Sequence, residues 1–525
     1  MRPDPFPLPP GRLQRVAQWL GTPRAWMWVV LLGVLAAAPC LTVGFSTDDH
    51  IMRIRFLDDT GVPGFEPSQF DLFTFARDEA QRDTCMETGL FAWWVAPGYR
   101  LAFFRPLSSA THALDFALWP DHPALMYAHS LGWYALLLCA LMALYRRLLP
   151  GWVGGLALLL YALDDAHGPT VGYISNRNAL IMATCAITAV WAHDRARRDG
   201  WRPGRWLAPL CMALGLLAGE GAIVGFGYLF AHAVTMERGP WLTRLRPLIP
   251  HVLLGLTWAV AYKLMGFGTH GSGIYLEPVG ETGAFLKAAV VRIPVLLSAQ
   301  VFGPWADLWI GYPRTVAIVV VIVVVAVLLT FAAAAWPVLR REPVARMWAL
   351  GSVLACVPIA GTFPADRLLL FVGVGAMGLV AMVIADTLSR ARVPTGRRAV
   401  VLALLVVHGV LGPLLLPIRT RSMETVARSF EPLDRAVPTT ATARDQPLVV
   451  VVAPNDGLVS YLPVMRSARG QPYPRSMRLL ASSLEAVEVT RLDDHTLQLH
   501  SDGFLANETE RMMRGPGYPF EVGQT

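Results

Sequence analysis

The sequence predicts an all-α polytopic membrane protein with a long loop after its first span and a small C-terminal domain of α/β or mainly β structure outside the membrane. Three observations predict it. The 525 residues are 54% hydrophobic and only 16% charged, with a mean hydropathy of +0.44, a balance that belongs to integral membrane proteins. Apolar runs recur from Met27 to Leu416, most of them near the length that crosses ~30 Å of hydrocarbon, and about eleven can be counted. After Leu416 the composition turns polar and short strand patterns replace the long apolar runs.

The first run, 25–44, reads as a retained anchor. "LAAAPC" at 35–40 offers small residues to a signal peptidase, but the apolar segment is longer than a signal core and Pro39 spoils a lipoprotein-like site at Cys40. The next element is a loop at 45–123 whose amphipathic stretches, "SQFDLFTFARDEA" at 68–80 and "FFRPLSSATHALDFALW" at 103–119, are expected to lie on the membrane and wall a cavity. Further spans are expected at 124–145, 151–165, 171–192, 205–219, 221–236, 248–266, 315–337, 345–362, 367–388 and 398–417. Within this set 151–165 is short, and 205–236 could be one bent helix. "AFLKAAVVRIPVLLSAQVF" at 284–302, interrupted by Lys287, Arg292 and Gln300, could lie along the membrane surface. Beyond the last span, "PLVVVVAP" at 447–454 reads as a buried strand and "EAVEVTRLDDHTLQLHSDGF" at 485–504 as a hairpin. The expected divisions are a cytoplasmic tail 1–24, a transmembrane domain 25–420 and an extracytoplasmic domain 421–525.

The net charge of +7 is carried almost wholly by arginine, since Lys263 and Lys287 are the only lysines. The arginines form no single patch, so nucleic acid is a poor partner. Instead they orient the spans. The tail with Arg2, Arg12, Arg15 and Arg24, and the loops "YRRLL", "HDRARRDGWRPGR", "ERGPWLTRLR", "RREPVAR" and "SRARVPTGRR", all fall on one side of a roughly eleven-span count, which puts the N-terminus inside and the C-terminus outside. The six cysteines show neither a disulfide framework nor metal-ligand spacing.

In that orientation Asp48, Asp49, Asp164, Asp165, His167, Glu220, Asp366 and Arg367 gather at the outer membrane face, with Arg105 in the long loop. One reading is a single outward-facing site. The other is that short outer loops must carry something polar and tolerate carboxylates. If there is a site, its chemistry has a natural form. An aspartate takes the proton of an acceptor hydroxyl as that oxygen attacks a sugar carbon. Arginines then stabilise the charge on a departing phosphate. A lipid-linked sugar would deliver its reactive carbon at that depth.

One span, then "STDDHIMRIRF", "FFRPLSSATHALDFALW", "VGYISNRNALIMA", "LGLLAGEGAIV" and "FPADRLLLFVGVGAMGL" in that order resemble the GT-C class of polyprenyl-phosphate-sugar-dependent glycosyltransferases, over roughly residues 25–420. The branch that the chain looks most like is that of the protein O-mannosyltransferases. The resemblance implies a catalytic aspartate at Asp48 or Asp49. Asp48, nearer the span, is the favoured base, with Asp49 orienting His50 or an arginine such as Arg53. It also implies Arg105, followed by Pro106, facing donor phosphate, with Asn176 and Arg177, Glu220, and Asp366 and Arg367 as further substrate contacts. Bland roles compete at each position: a solvated acid, an arginine on lipid phosphate, a helix cap, an Asp366–Arg367 pair. Where related sequences often carry Lys-Glu, this one has Gly219 and Glu220 and so lacks one positive charge, and tetratricopeptide repeats are absent.

The implied enzyme is an integral-membrane inverting glycosyltransferase, hexosyl- or mannosyl-transferring, of a bacterial inner membrane. Its partners would be a polyprenyl-phosphate-linked sugar donor, a protein, lipid or glycan acceptor and membrane lipids. No cofactor is implied, and a divalent metal stays open. The competing classes are a transporter or flippase for a lipid-linked glycan, although no paired halves with matching broken helices are present, and a non-catalytic polyprenyl-phosphate-binding envelope protein. Residues 421–525 carry no cluster of candidate catalytic groups, so their removal is expected to leave donor binding intact.

Overall fold

Among the described residues, seven helices are long and apolar enough to cross a membrane: Pro23–Thr42, Pro123–Leu148, Trp241–Leu264, Thr282–Val301, Thr315–Arg341, Leu370–Leu388 and Thr395–Arg419, with shorter apolar helices at Gly151–Ala162, Gly204–Ala218 and Pro343–Ile359. They are seen in a computed structural model that describes residues 6–312, 314–440, 445–501, 503–505 and 510–520. Arg2 of the expected tail lies outside the described residues. The first helix starts as the local sequence dictates: Pro23 at its first position, with the Thr22 side chain accepting from the Ala25 N–H at 3.2 Å.

The bundle is arranged around Leu370–Leu388, which is buried along its whole length. Small residues make this possible. A Cβ added at Gly375 would meet Ser352 Oγ and the Trp348 carbonyl at 2.4 Å, and one at Gly378 would meet the Trp348 indole at 2.9 Å, so these glycines let helix Pro343–Ile359 approach closely. At the periphery, Thr315–Arg341 has a mean hydropathy of 3.3 with only 11% of its window buried. An apolar surface of that extent requires lipid rather than water around it.

The arginine-rich turns are tied together on one face. Arg147 bonds Asp194 at 2.7 Å and Asp199 at 2.8 Å, Arg197 bonds Glu237 at 2.6 Å, and Arg341 and Arg397 both reach Asp386 at 2.7 Å. The N-terminal segment joins this face where the Trp152 indole donates to the Phe6 carbonyl. The loop 45–123, the acids and the C-terminal segment lie at the other end of the helices.

The spans expected at 205–219 and 221–236 are two helices, Gly204–Ala218 and Val224–Thr235, broken at Gly219 and a turn at Glu220–Ile223, and not one bent helix. Other expectations meet a different local structure. The span placed at 171–192 is helix Arg177–Arg198, preceded by the turns Gly168–Val171 and Ile174–Asn176. Those turns are held because Gly168 and Gly172 abut Arg419 and Thr420, where an added Cβ would sit 2.7 Å and 2.0 Å from the neighbour. Helix Thr282–Val301 meets loops of the Asp48 face from both ends: Leu276, just before it, donates to the Gly361 carbonyl at 2.7 Å, and Gln300, near its end, donates to Asp164 at 2.6 Å.

In the long loop, the stretch 68–80 packs into the loop's own sheet and does not lie as a separate amphipathic segment on the membrane. It holds strand β1 (Thr74–Ala76), which pairs with β2 (Arg100–Ala102), itself antiparallel to β3 (Gly268–His270). The segment 103–119 does contain a helix, Pro106–Leu118, whose inward face is polar, with Ser108, Ser109, His112 and Asp115 buried. In the C-terminal segment β4 (Leu448–Ala453) and β5 (Met477–Ser482) run parallel on either side of helix Gly457–Ala468, and β6 (Glu488–Arg491) forms a hairpin with β7 (Leu497–His500). This segment does not keep its own core: Ile51, Ile54, Trp94 and Tyr99 of the loop are buried with Val459, Leu462 and Met477 in one cluster.

Candidate active site at the end of the first membrane helix

Asp48 and Asp49 open a short helix, Asp48–Ile54, directly after Thr47. Thr47 has φ of 33°, a left-handed conformation that costs a β-branched residue and persists only where its surroundings enforce it. The Tyr173 hydroxyl does so, lying 2.8 Å from Thr47 Oγ1 and 3.3 Å from the Asp48 N–H.

The two aspartates part ways at this turn. Asp49 is 1% exposed; its carboxylate accepts from the Ser46 N–H at 3.0 Å, the Ser175 N–H at 2.9 Å and the Ser175 hydroxyl. Three donors from two segments make it a structural clasp between the loop and the Arg177–Arg198 helix. It orients neither His50 nor Arg53, which pairs with Asp121. Asp48 is half-buried and accepts from the Tyr461 hydroxyl of the C-terminal segment. Among the described residues it has no ion-pair partner.

Burial pushes the Asp49 carboxyl up to about 7, with the Ser175 and Ser46 donors pulling the other way. A carboxyl with a folded value above its unfolded one holds its proton in the native state while the unfolded chain releases it, so its stabilising contribution is full at low pH and lost as pH rises toward 7. Asp366, pushed up to about 7 by burial, acts in the same sense. The thermal midpoint of the purified protein is therefore expected to fall between pH 4.5 and about 7, and Asp49→Asn, uncharged throughout, is expected to shallow that slope. An unchanged slope in the variant would contradict it.

Around Asp48 the arginines separate into three kinds. Arg105 lies between Phe103 and Phe73, 4.5 and 4.9 Å from their ring centroids, and is paired through Nε and Nη2 with Glu220. Asn178, in the amide orientation that satisfies both ends, accepts from Arg105 at 3.3 Å and donates to the Ser175 carbonyl at 3.2 Å, linking Arg105 to the Asp49 clasp. Arg177 is sealed: fully buried, it contacts Ser130 at 3.0 Å, the Met126 carbonyl at 2.8 Å, His129 at 3.2 Å, the Thr111 carbonyl and Asp115. Asn176 only leads into the helix above it. Arg367 lies over the Phe363 ring at 5.7 Å, and among the described residues no carboxylate pairs with it. Its neighbour Asp366 is instead taken up by Arg419, which also binds Asp307, both at 2.7 Å, and Asp165 at 3.0 Å.

Tyr275 packs on Phe103, ring centroids 5.7 Å apart; burial raises its phenol, Arg367 and Arg105 pull it down, and Glu220 and Asp48 add to the rise. Tyr461 is raised by burial and by Asp48 and lowered by Arg367. Arg105 and Glu220 pair and Asp48 meets Tyr461, whereas Asp49, Arg177 and Asp366 are each held by partners of their own. Tyr173, Tyr275, Tyr461 and Arg419 were not singled out from the sequence. Only Tyr173 carried a local signal, three residues ahead of Asn176.

No protein-family model matches the chain, and no curated protein is found similar to it. Among solved structures, it is similar to the Archaeoglobus fulgidus oligosaccharyltransferase tethered to an acceptor peptide, with 11% identity and a TM-score of 0.44, over 87% of this chain and 64% of that one. The same archaeal protein with an inhibitory peptide and a dolichol-phosphate matches at 12% identity and 0.43, over 86% and 64%, so the chain spans about two thirds of that protein's length. ArnT from Cupriavidus metallidurans matches at 15% identity and 0.42, over 85% and 89%. Likenesses at that level carry no argument about the chemistry of this chain.

Proposed function

We propose that the chain is an inverting glycosyltransferase that moves a sugar, hexosyl or mannosyl, from a polyprenyl-phosphate-linked donor to an acceptor hydroxyl at the outer membrane face. The observation that carries this reading is the position of Asp48: a half-buried carboxylate at the exit of a membrane helix, free of any ion pair among the described residues and facing the Tyr461 hydroxyl. In the proposed step Asp48 takes the acceptor proton while the acceptor oxygen forms a bond to the anomeric carbon. The bond from that carbon to the phosphate oxygen breaks, and its electron pair leaves with polyprenyl phosphate. The Tyr461 hydroxyl, donating to Asp48, occupies the place an acceptor hydroxyl would take. Arg367 and, in exchange with Glu220, Arg105 would meet the leaving phosphate.

The reading includes the roughly eleven-span arrangement with the N-terminus inside, helix Thr282–Val301 lying on the outer face. It is tested by incubating purified protein with a panel of lipid-linked sugars and candidate hydroxyl acceptors and measuring released polyprenyl phosphate. No release with any pair, together with lipid translocation that depends on Asp48, would replace the enzyme by a transporter. The arginines give a graded prediction. Arg367→Ala is expected to raise the donor KM by roughly 10–100-fold, the worth of one charge-assisted contact, with folding intact. Arg177→Ala is expected to destabilise by about 3–5 kcal/mol, because it strands Asp115 unpaired in the interior. Thermal denaturation beside donor titration separates the two; an unchanged donor KM in Arg367→Ala removes that arginine from the site.

A further inference from the structure

We propose that His193, His232 and Glu237 bind a divalent transition-metal ion of the zinc class, at the opposite end of the bundle from Asp48. His193 lies near the end of helix Arg177–Arg198, about 24 Å along it from Arg177 at 1.5 Å per residue. His232 lies in the last turn of Val224–Thr235, and Glu237 follows in the next turn. Their ligand atoms all lie within 4.8 Å of one another. His193 Nε2 is 3.9 Å and His232 Nδ1 is 3.8 Å from the same carboxylate oxygen, Oε1 of Glu237.

Two features show that this is a site rather than a chance cluster. First, His193 Nε2 and His232 Nδ1 are buried and have no hydrogen-bond partner among the described residues, although a buried polar atom left alone is costly. Second, His232 Nε2 lies 2.9 Å from Asp194 Oδ1. A carboxylate only accepts, so Nε2 carries a proton; in the neutral imidazole Nδ1 then presents its lone pair on the side of Glu237 Oε1, and a cation held by both would satisfy them.

A zinc-class ion fits the donors. Two nitrogens and a carboxylate oxygen at about 2.0–2.2 Å from a common tetrahedral ion are roughly 3.4 Å apart, so the two His–Glu237 distances need to close by about half an ångström and the widest pair of the set by up to about 1.4 Å, within reach of side-chain rotation. The surroundings are those of a metal site: Asp194 fixes the His232 tautomer and is itself held by Arg147 at 2.7 Å, and Arg197 donates to Glu237 Oε1 at 2.8 Å. His251, whose ring centroid is 5.6 Å from that of His193, brings a further imidazole to the cluster. The bound ion would clamp the ends of two helices and the turn after them.

The test uses tag-free full-length protein in detergent, stripped with chelator and titrated with Zn²⁺ and, in parallel, Co²⁺. Saturable binding of one ion per chain is expected, with visible Co²⁺ absorption and a thermal midpoint raised by about 3 °C at a hundredfold excess over Kd. His193→Ala and Glu237→Gln should each lose binding. The wild type alone decides the matter if a variant fails to fold. No saturable binding, or binding undiminished in both folded variants, overturns the proposal. A midpoint that responds to pH near neutrality but not to Zn²⁺ also overturns it, in favour of a shared proton.

Discussion

Asp48→Asn is expected to lower sugar transfer by roughly 10²–10⁴-fold, the usual worth of a positioned general base, without a change in yield or thermal midpoint. Asparagine keeps the shape and still accepts from the Tyr461 hydroxyl, so the turn after Thr47 and the contact with the C-terminal segment survive. What is lost is the ability to take a proton. Asp49→Asn is expected to behave in the opposite way. Its amide nitrogen would face either the Ser46 N–H or the two Ser175 donors, leaving a buried donor unmet at a cost of about 1–3 kcal/mol, while the catalytic step in molecules that fold is largely preserved. Release of polyprenyl phosphate, measured beside thermal denaturation for both variants, checks the pair. A wild-type rate in Asp48→Asn would show that this carboxylate takes no proton in turnover.

The division of labour between adjacent aspartates illustrates what a sequence can and cannot show here. Hydropathy made the membrane helices legible, and the order of acids and arginines singled out Asp48, Arg105, Glu220 and Arg367. Which arginine is free was not legible. Arg177 turns inward to Asp115 of another helix and Arg367 does not pair with the acid beside it, because Arg419 has taken Asp366. Such choices depend on tertiary partners, and buried ion pairs leave no periodic mark along the chain. Tyr461 was invisible for the same reason, lying 413 residues from the carboxylate it contacts. The stretch at 68–80, expected to lie on the membrane, departs from that for a local cause: Phe73, Thr74 and Ala76 are buried around a strand of the loop's own sheet, so their apolar character serves that sheet rather than a membrane surface.

Removing residues 425–525 is expected to abolish donor binding and to leave the loop 45–123 open to protease, contrary to the dispensability suggested by a C-terminal segment without catalytic clusters. The argument rests on what that segment covers. Ile51 and Ile54 lie on the same short helix as Asp48, and they are buried with Trp94 and Tyr99 against Val459, Leu462 and Met477. Gly89 of the loop packs so closely on Met477 that a Cβ there would lie 1.7 Å from its carbonyl oxygen. Truncation would expose all of this apolar surface at once and release the helix that presents Asp48, whose carboxylate would also lose the Tyr461 hydroxyl. Smaller lesions divide the effect. Leu462→Ala should cost about 2–5 kcal/mol of stability through the cavity it leaves. Tyr461→Phe keeps the packing and removes one hydrogen bond to a carboxylate, worth about 1.5–3 kcal/mol; it should change turnover while the proteolysis pattern of the loop stays as in the wild type. Limited proteolysis, size-exclusion profiles and binding of a lipid-linked sugar distinguish these outcomes. A truncated chain that is monodisperse, binds donor with wild-type affinity and keeps its loop protected would show that the shared core is not what holds Asp48 in place.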